Sequence, residues 1–353
     1  MAKVHVARRI PTIGATAALL FATALSGCGI NTDMSGGDGE TVVTVAGYGG
    51  VYEEMEYDAF FDGYMAEHPD VRIVYDELDM AKLKAMVESG NPTWDIFLGG
   101  PESNDPADIF EKIDCEKVPC SELKMMADHG YSVPYYIFST VLAYREDAFG
   151  GKAPENWADF FDLETFPGKR GLWNAVTAGT LEPALLADGV AHEDLYPLDT
   201  DRALAKLGSI RDSIVWWESG AQCGQLLRDN EVVMANCWSL DVDRAQADGA
   251  PLGIAWSDNF MLPGEMSIVK GTTHRDIAMD IIAYSTSAEV NAGLAELGPF
   301  TPANEAAWAE LELSPESNLS AAHADTAAPH NVDRWIDFNA ERLTKLLQEW
   351  ILG

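Results

Sequence analysis

The sequence predicts an α/β protein with an open sheet whose first strands are parallel. Between residues 41 and 100, three short apolar runs alternate with two helix-like segments. This β-α-β-α-β order is typical of a parallel sheet that carries helices on its faces. Ligands of such sheets bind at the carboxyl ends of the strands, so the loops at 47–50 and 99–102 are candidate pocket walls.

The first elements follow directly from the apolar pattern. Residues 41–46, 71–78 and 93–100 are predicted strands, and 52–65 is the first predicted helix. The segment "DMAKLKAMVESGNP" (79–92) predicts a second helix, because its apolar residues share one face and a glycine and a proline follow its end.

The second half of the chain begins with an apolar stretch at 133–147, which predicts one long strand or two. Helices and strands alternate again up to "RAQADGAPLGIAW", and "MSIVKG" predicts a strand that returns to the first half. We interpret the C-terminal helix as an element that packs against the rest of the protein and carries no functional residues, because its apolar residues form one stripe. They are Trp335, Ile336, Leu343, Leu346, Leu347, Trp350 and Ile351.

The N-terminus has the pattern of an export signal. Lys3, Arg8 and Arg9 precede the uncharged stretch "TIGATAALLFATALSG", and this arrangement is typical of a signal peptide. The stretch is shorter than the roughly 20 residues that a membrane span needs. The motif "LSGC", ending at Cys28, resembles the bacterial lipobox, in which the cysteine is lipidated and becomes the new N-terminus. The alternative is an ordinary signal peptide with an incidental cysteine.

The composition after Cys28 indicates how the chain is divided. "GINTDMSGGDGE" is rich in Gly, Ser, Asp and Asn, which indicates a flexible tether. The remaining chain from residue 41 is long enough for two lobes of ordinary domain size. We predict a signal peptide at 1–27, a tether at 28–40, a first lobe at 41–142, a second lobe at 143–265, and a return to the first lobe with the C-terminal helices at 266–353.

The chain carries a formal net charge of −34. Such a surface repels nucleic acid and anionic lipid, so we expect no nucleic-acid partner and no membrane contact beyond the N-terminal lipid. The charge is compatible with a cationic ligand and equally with a saline habitat.

Four cysteines remain besides Cys28, and an even number in an exported protein indicates disulfides. Cys115 and Cys120 bracket a short loop with a proline, whereas Cys223 and Cys237 bracket a helix, a turn and a strand. We predict the pairs Cys115–Cys120 and Cys223–Cys237. A zinc site is the alternative, but no C-x2-C pair and no nearby histidine doublet supports it.

The glycine turn in "TVVTVAGYGGVYEEM" does not match a nucleotide cradle. In the G-x-G-x-x-G register from Gly47 the last position is Tyr52, and the motifs G-x-x-x-x-G-K-[ST], G-x-S-x-G and H-E-x-x-H do not occur. We expect no cofactor, no metal and no enzymatic activity. The adjacent Tyr135 and Tyr136 are similar to the paired tyrosines of ferric-ion binders, yet a tyrosine pair in an apolar strand is more often core.

Aromatic and acidic residues gather at predicted strand ends. A π face beside a carboxylate suits an ammonium group, since cation–π contacts contribute about 0.5–2 kcal/mol each and charge-assisted hydrogen bonds more. Trp238 and Asp241 in "CWSLDVD" are the best candidates, because both follow the same strand. The other residues at strand ends are Trp173, Trp216, Trp217, Glu102 and Glu265.

Seven segments resemble one protein family: "GGVYEE", "AKLKAMVESGNPTWD", "VPYYIFSTVLAY", "NWADFFDLETFPGKR", "LLADGV…LYPLD", "VWWESGAQ…LL…EVVMANCW" and "GPFTPAN". In order, over roughly residues 41–353, they are similar to solute-binding lipoproteins of ABC importers in the spermidine/putrescine-binding group. The resemblance implies a two-lobed periplasmic-binding-protein fold of type II, two crossovers between the lobes, and a ligand held in the cleft by hinge closure. It also implies a membrane permease and its ATPase as partners.

The resemblance assigns roles to individual residues. Trp238 and Asp241 match the family's W-x-x-D, in which the tryptophan stacks on the alkyl chain of the ligand and the aspartate takes an amine. The first strand–helix turn departs from the polyamine pattern W-x-x-Y, because Tyr48 stands at the tryptophan position and two glycines follow it. Glu102 lies near an aromatic position of the family, and Glu265 lies near its aromatic and aspartate at the return crossover.

We therefore predict an exported, lipid-anchored substrate-binding protein of an ABC importer, monomeric and on the extracytoplasmic face of the membrane. The predicted ligand is a small organic cation or amine of the polyamine type, and the start of the helix at Ser219 offers backbone donors if the ligand is zwitterionic. The predicted walls are Tyr48, Trp173 and Trp238, and the predicted acceptors are Asp241, Glu102 and Glu265.

Three alternatives remain open from the sequence. In the first alternative, the ligand is another amine or an amino-acid derivative. The second is a ligand sensor for a membrane receptor, and the third is an exported enzyme on the same scaffold.

Overall fold

The fold comes from a computed structural model that describes residues 39–353 apart from Gly50, 102–104, 177–178, 312 and 330–339. The predicted signal peptide, the lipid-attachment residue Cys28 and the predicted acceptor Glu102 lie outside the described residues. None of the described helices is long and apolar enough to cross a membrane.

Strands and helices alternate through most of the described chain. The strands are β1 (Thr41–Gly47), β2 (Val71–Glu77), β3 (Ile96–Phe97), β4 (Val133–Arg145), β5 (Arg170–Trp173), β6 (Ile214–Trp217), β7 (Met234–Trp238), β8 (Leu252–Ile268) and β9 (Thr301–Pro302). The helices are α1 (Val51–Glu56), α2 (Asp62–Glu67), α3 (Met80–Glu88), α4 (Trp157–Phe161), α5 (Leu181–Ala187), α6 (Thr200–Gly208), α7 (Gly220–Arg228), α8 (Ser239–Ala247), α9 (Arg275–Thr286), α10 (Ala288–Ala292), α11 (Leu294–Leu297) and α12 (Ala340–Leu352). A π-helical turn, Tyr57–Phe61, joins α1 to α2.

Within the described residues, nine strands form one sheet in the order β2-β1-β3-β8-β4-β7-β5-β6, with β9 beside β4. β1 is parallel to β2 and β3, and β5 is parallel to β6 and β7. The α/β class and the parallel first strands are confirmed. The centre of the sheet is different, because β4 and β8 run antiparallel to each other and to their outer neighbours.

Two long strands, β4 and β8, connect the two parts of the sheet. The stretch for which one or two strands were possible is a single strand of 13 residues. β8 is one strand of 17 residues, although the sequence indicates two separate segments there. The register of the pair shifts between Thr140 and Leu142, whose partners are Phe260 and Ala255. Residues 256–259 therefore form a bulge in the ladder.

Buried apolar side chains form clusters on both sides of this strand pair. One group of clusters draws mainly on β1–β3, α1–α3 and α9. The other draws on α4–α8, β5–β7 and the adjoining parts of β4 and β8. The C-terminal helix α12 packs Leu343 and Leu347 into this second group. The exact lobe boundaries stay a prediction.

The structure brings together both cysteine pairs that the sequence suggests. The sulfur atoms of Cys115 and Cys120 are 2.12 Å apart, and those of Cys223 and Cys237 are 2.03 Å apart. Both members of the second pair are fully buried. Their bond ties α7 to β7 immediately before Trp238, so it constrains the end of β7.

The arginine of "PGKR" anchors the start of β5. Arg170 is fully buried and donates to the carbonyl oxygens of Phe160, Phe166 and Gly168 at 2.7, 2.5 and 2.9 Å. Burial lowers the pKa of Arg170 to about 10, which leaves the guanidinium charged at neutral pH. Its hydrogen bonds fix the strand whose other end is Trp173.

Candidate functional site

The carboxyl ends of three parallel strands bring three tryptophans together. Trp173 ends β5, Trp217 ends β6 and Trp238 ends β7. The ring centroids of Trp173 and Trp217 are 4.7 Å apart, and each lies 5.4 Å from that of Trp238. We call these residues the tryptophan cluster. Trp216 precedes Trp217 on β6, and neighbouring residues of a strand point to opposite faces. Trp216 therefore lies outside the cluster, with its ring centroid 6.4 Å from that of Trp350.

One buried amide orients the tryptophan cluster. The Oδ1 atom of Asn236, a fully buried residue of β7, accepts hydrogen bonds from the backbone N–H of Trp173 at 3.0 Å and from Nε1 of Trp217 at 3.3 Å. Its Nδ2 donates to the carbonyl oxygen of Gly179 at 3.0 Å, which anchors the loop after β5. No local sequence pattern indicates this role, because it depends on contacts between residues about 20 to 60 positions apart.

Asp241 lies in the first turn of α8, three residues after Trp238. Its Oδ2 atom is buried and has no hydrogen-bond partner among the described residues. Burial raises the pKa of Asp241 to about 7, and the positive charge of Arg244 opposes this only in part. A carboxylate removed from water without a partner is costly. The site therefore contains an anionic acceptor that a cation can satisfy.

Two members of the tryptophan cluster present buried donors. The Nε1 atoms of Trp173 and Trp238 have no acceptor in the part of the chain that the structure describes. Buried polar groups are paired in the large majority of cases, so unpartnered ones at the carboxyl ends of strands indicate a binding site. One anionic acceptor and two neutral donors, set among aromatic faces, are complementary to a ligand that has both an ammonium group and oxygen atoms.

The charge of Asp241 acts on tyrosines from the first half of the chain. Burial and the negative charge of Asp241 raise the pKa of Tyr52, which lies in α1. The ring of Tyr48, which is 61% exposed, lies 6.0 Å from that of Tyr52. Burial also raises the pKa of Tyr136 on β4, with smaller contributions from Tyr52, Tyr48 and Asp241. Asp241 is thus close both to the tryptophan cluster and to these tyrosines.

Sequence reasoning missed two aromatic residues of the candidate site, Tyr52 and Phe138. Tyr52 stood out only as the residue that breaks a glycine motif, and Phe138 did not stand out at all. The ring of Phe138 lies 5.9 Å from Trp238 and 5.8 Å from Tyr136. Tyr136 and Phe138 are two positions apart on β4, and residues at that spacing share a face of the strand. This spacing is the sequence signal that could have identified the pair.

Two further predicted ligand residues, Glu265 and Ser219, lie within the described chain. Glu265 on β8 accepts a hydrogen bond from the hydroxyl of Ser132 at 2.5 Å, and a side chain at Gly100 would overlap its Oε2 atom. Ser219 is the N-cap residue of α7 and is exposed, but its side chain makes no capping hydrogen bond. The ligand roles of Glu265 and Ser219 stay predictions, as does that of Glu102.

The glycine turn after β1 is a tight turn with steric demands. The carbonyl oxygen of Gly47 accepts a hydrogen bond from the amide of Leu78 at 2.8 Å. Gly49 has a φ of +70°, a conformation that favours glycine. A Cβ at Gly47 would collide with the hydroxyl oxygen of Tyr75, so this side chain of β2 closes over the turn.

The adjacent tyrosines of β4 have packing roles in the structure. The hydroxyl of Tyr135 donates to Glu56 at 2.6 Å, and its ring meets that of Tyr136 edge to face at 4.7 Å. Across the described residues, no group of three His, Cys, Asp or Glu side chains could hold a metal ion.

The desolvated carboxylate of Asp241 predicts a stability change. Its pKa is about 7 in the folded state and about 3.9 in an unfolded chain, so its contribution to stability falls as the pH rises through that window. We expect Asp241→Asn to stabilise the ligand-free protein at pH 8 by about 1–3 kcal/mol, measured as a higher melting temperature, and to change it little at pH 4.

Asp243→Asn is the matched control for this prediction. Asp243 lies on the same helix, and its Oδ1 accepts a hydrogen bond from Asn318 at 2.7 Å, which the amide oxygen of asparagine can also accept. The control removes the same charge without relieving an unpartnered carboxylate. A lower melting temperature of Asp241→Asn than of the parent protein at pH 8 would contradict the desolvated carboxylate.

Comparison with known proteins identifies the family. The family model described as bacterial extracellular solute-binding protein matches residues 59–324. The gamma-aminobutyric acid-binding protein of Pseudomonas aeruginosa is 32% identical over 323 residues, which are 87% of this chain and 90% of that protein. The solved structure of the Atu4243–GABA receptor is 29% identical with a TM-score of 0.80, covering 88% of this chain and 98% of that one. The structure of MotA from A. tumefaciens B6 in complex with glucopine is 30% identical with a TM-score of 0.78, covering 88% and 100%.

These similarities decide between several of the predictions. The predicted periplasmic-binding-protein fold of type II is confirmed. The prediction that the protein is a solute-binding protein and not an enzyme is confirmed as well. The narrower assignment to the spermidine/putrescine group is not supported, since the relatives are named for gamma-aminobutyric acid and glucopine. The chain belongs to the bacterial extracellular solute-binding proteins, and it serves an ABC importer by binding a small organic ligand and delivering it to the permease.

Proposed function

We propose that this protein captures a small amine that also carries oxygen acceptors, of the 4-aminobutyrate type. The observation that supports the proposal is that three of the four buried polar side-chain atoms without a partner in the described chain belong to this site, namely Oδ2 of Asp241 and Nε1 of Trp173 and Trp238. A ligand with an ammonium group at one end and a carboxylate or carbonyl at the other satisfies all three.

The ammonium end is assigned to Asp241. An ammonium group forms charge-assisted hydrogen bonds with a carboxylate, and it offsets the cost of keeping that carboxylate out of water. Aromatic faces next to the carboxylate add cation–π attraction of about 0.5–2 kcal/mol each. Trp238 and Tyr52 supply such faces from the two halves of the chain.

A diamine of the putrescine type is the second candidate. It carries no oxygen atom, so the indole N–H groups of Trp173 and Trp238 stay without acceptors in its complex, at a cost of about 1–3 kcal/mol for each buried group. Its second ammonium would need another acceptor, and Glu265 and Glu102 are the predicted ones. The relatives named for gamma-aminobutyric acid add support to the first candidate.

Capture would proceed by hinge closure. Tyr48 and Tyr52 precede β4, whereas the tryptophan cluster and Asp241 follow it, and β4 and β8 join the two halves. A ligand that contacts both halves stabilises the closed arrangement. We propose that the protein acts as a monomer and that the closed form engages the permease and its ATPase.

An N-terminal lipid is also part of the proposed function. The lipobox-like "LSGC" and the polar tether after it would hold the binding domain at the extracytoplasmic face of the membrane. Cys28→Ser should move the expressed protein from the membrane fraction to the aqueous fraction. Unchanged membrane association of that variant would exclude Cys28 as the attachment site.

Calorimetric titration with three compounds of similar length tests the ligand class. We expect 4-aminobutyrate to bind about tenfold or more tightly than putrescine, and butyrate, which lacks the ammonium, not to bind measurably. Asp241→Ala should abolish binding of 4-aminobutyrate, whereas Asp243→Asn should retain it. Tighter binding of putrescine would favour the second candidate, and binding that survives Asp241→Ala would exclude the amine site.

The pH dependence of binding follows from the protonation of Asp241. An ammonium ligand needs the ionised carboxylate, whose pKa in the empty site is about 7. Affinity should therefore fall about tenfold from pH 8 to pH 6 and level off above pH 8. Titrations in buffers of different ionisation enthalpy should show proton release at pH 6. A flat pH profile, with no proton release, would contradict this linkage.

A further inference from the structure

Glu56 is a fully buried acidic residue that the proposed ligand site does not use. Its Oε1 atom accepts a hydrogen bond from the hydroxyl of Tyr135 at 2.6 Å, and its Oε2 atom accepts one from the hydroxyl of Tyr75 at 2.8 Å. Burial raises the pKa of Glu56 to about 8, although both hydrogen bonds oppose the rise. Burying a carboxyl group lowers the stability of the fold unless the group is hydrogen-bonded. The two tyrosine hydroxyls therefore offset part of this cost.

The hydroxyl of Tyr75 connects this carboxyl group to the glycine turn. It donates to Glu56 and accepts from the backbone N–H of Gly49 at 3.4 Å. A hydroxyl group has one donor and two acceptor positions, so a single oxygen can serve both contacts. It also occupies the space where a Cβ of Gly47 would lie. The backbone of the turn is therefore linked through Tyr75 to the interior of α1.

Both hydrogen bonds of Glu56 connect it to tyrosines of the candidate site. Through Tyr75 it is linked to the turn that carries Tyr48, whose ring lies 6.0 Å from that of Tyr52, one helical turn before Glu56. Through Tyr135 it is linked to Tyr136, the next residue of β4. Glu56 is thus linked through Tyr75 to the turn that carries Tyr48, and it is hydrogen-bonded to Tyr135, the residue next to Tyr136.

We propose that Glu56 and Tyr75 are positioning residues that hold the Tyr48 turn in place for ligand binding. This inference rests on the proposed function, because Tyr48 must contact the ligand for its position to affect affinity. The Tyr75 hydroxyl acts on the ligand through the turn and does not touch it. Its removal should therefore lower affinity only while Tyr48 is present.

A double-mutant cycle tests this inference. We expect Tyr75→Phe to weaken binding of 4-aminobutyrate about 3- to 10-fold, because the ring packing stays while the hydroxyl that joins Glu56 to the turn is lost. In a Tyr48→Ala background the same substitution should add less than about twofold. If 4-aminobutyrate does not bind, the tightest amine from the series putrescine, spermidine and glycine betaine is the probe.

Tyr57→Phe is the matched control. The hydroxyl of Tyr57 donates to the carbonyl oxygen of Ile73 at 3.2 Å, and its ring lies 6.5 Å from that of Tyr75. It therefore removes a hydroxyl group from the same neighbourhood without touching the turn, and affinity should stay within about twofold of the parent. Glu56→Gln leaves one acceptor oxygen for the two tyrosine hydroxyls that donate to the carboxylate, so it should weaken binding in the same direction as Tyr75→Phe. It also serves as the second measurement should Tyr75→Phe not fold.

Hydrogen exchange of the ligand-free protein supplies a readout that needs no ligand. Amides of residues 47–49 should exchange faster in Tyr75→Phe than in the parent and in Tyr57→Phe. Equal exchange together with unchanged affinity would overturn the inference, as would additive losses in the Tyr48→Ala background or unchanged affinity of Glu56→Gln. Failure of the proposed function shows separately, as binding that does not depend on Asp241.

Discussion

The antiparallel pairing of β4 with β8 is the constraint on which the other parts of the site depend. The two strands are 13 and 17 residues long, and each carries one part of the sheet at its outer edge, β7 on β4 and β3 on β8. The end of β7 therefore lies beside β4, and the ring of Phe138 is 5.9 Å from that of Trp238. The bulge at 256–259 interrupts the ladder between β4 and β8.

The site is built at a cost in stability. Oδ2 of Asp241 and two indole N–H groups are buried without partners in the described chain, and each such group opposes folding. The surrounding structure over-determines their positions through Asn236, the Cys223–Cys237 bond and the hydrogen bonds of Arg170. In the proposed complex the ligand would satisfy the unpartnered groups, and the free energy withheld from folding would become available for recognition.

The sequence was sufficient for the parts of the site that local patterns encode. Trp238 and Asp241 follow one strand within four residues, and Trp173 follows a turn that contains a proline and a glycine. Tyr52 and Asn236 could not be predicted in this way, because their roles arise from pairing between distant segments. Glu265 also depends on a distant contact: its carboxylate accepts a hydrogen bond from Ser132, a contact between residues 133 positions apart that no local pattern shows. The single strand β8 was divided into two for the same reason, since its continuity depends on its partner.

A crystal structure of the complex with 4-aminobutyrate tests the central claim most directly. If the desolvated carboxylate is the ammonium acceptor, the nitrogen atom of the ligand lies within hydrogen-bonding distance of Asp241 Oδ2, about 2.7–3.2 Å. The carboxylate of the ligand then accepts from Nε1 of Trp173 or Trp238. A complex in which Asp241 faces no cationic group, with the ammonium elsewhere in the cleft, would contradict it.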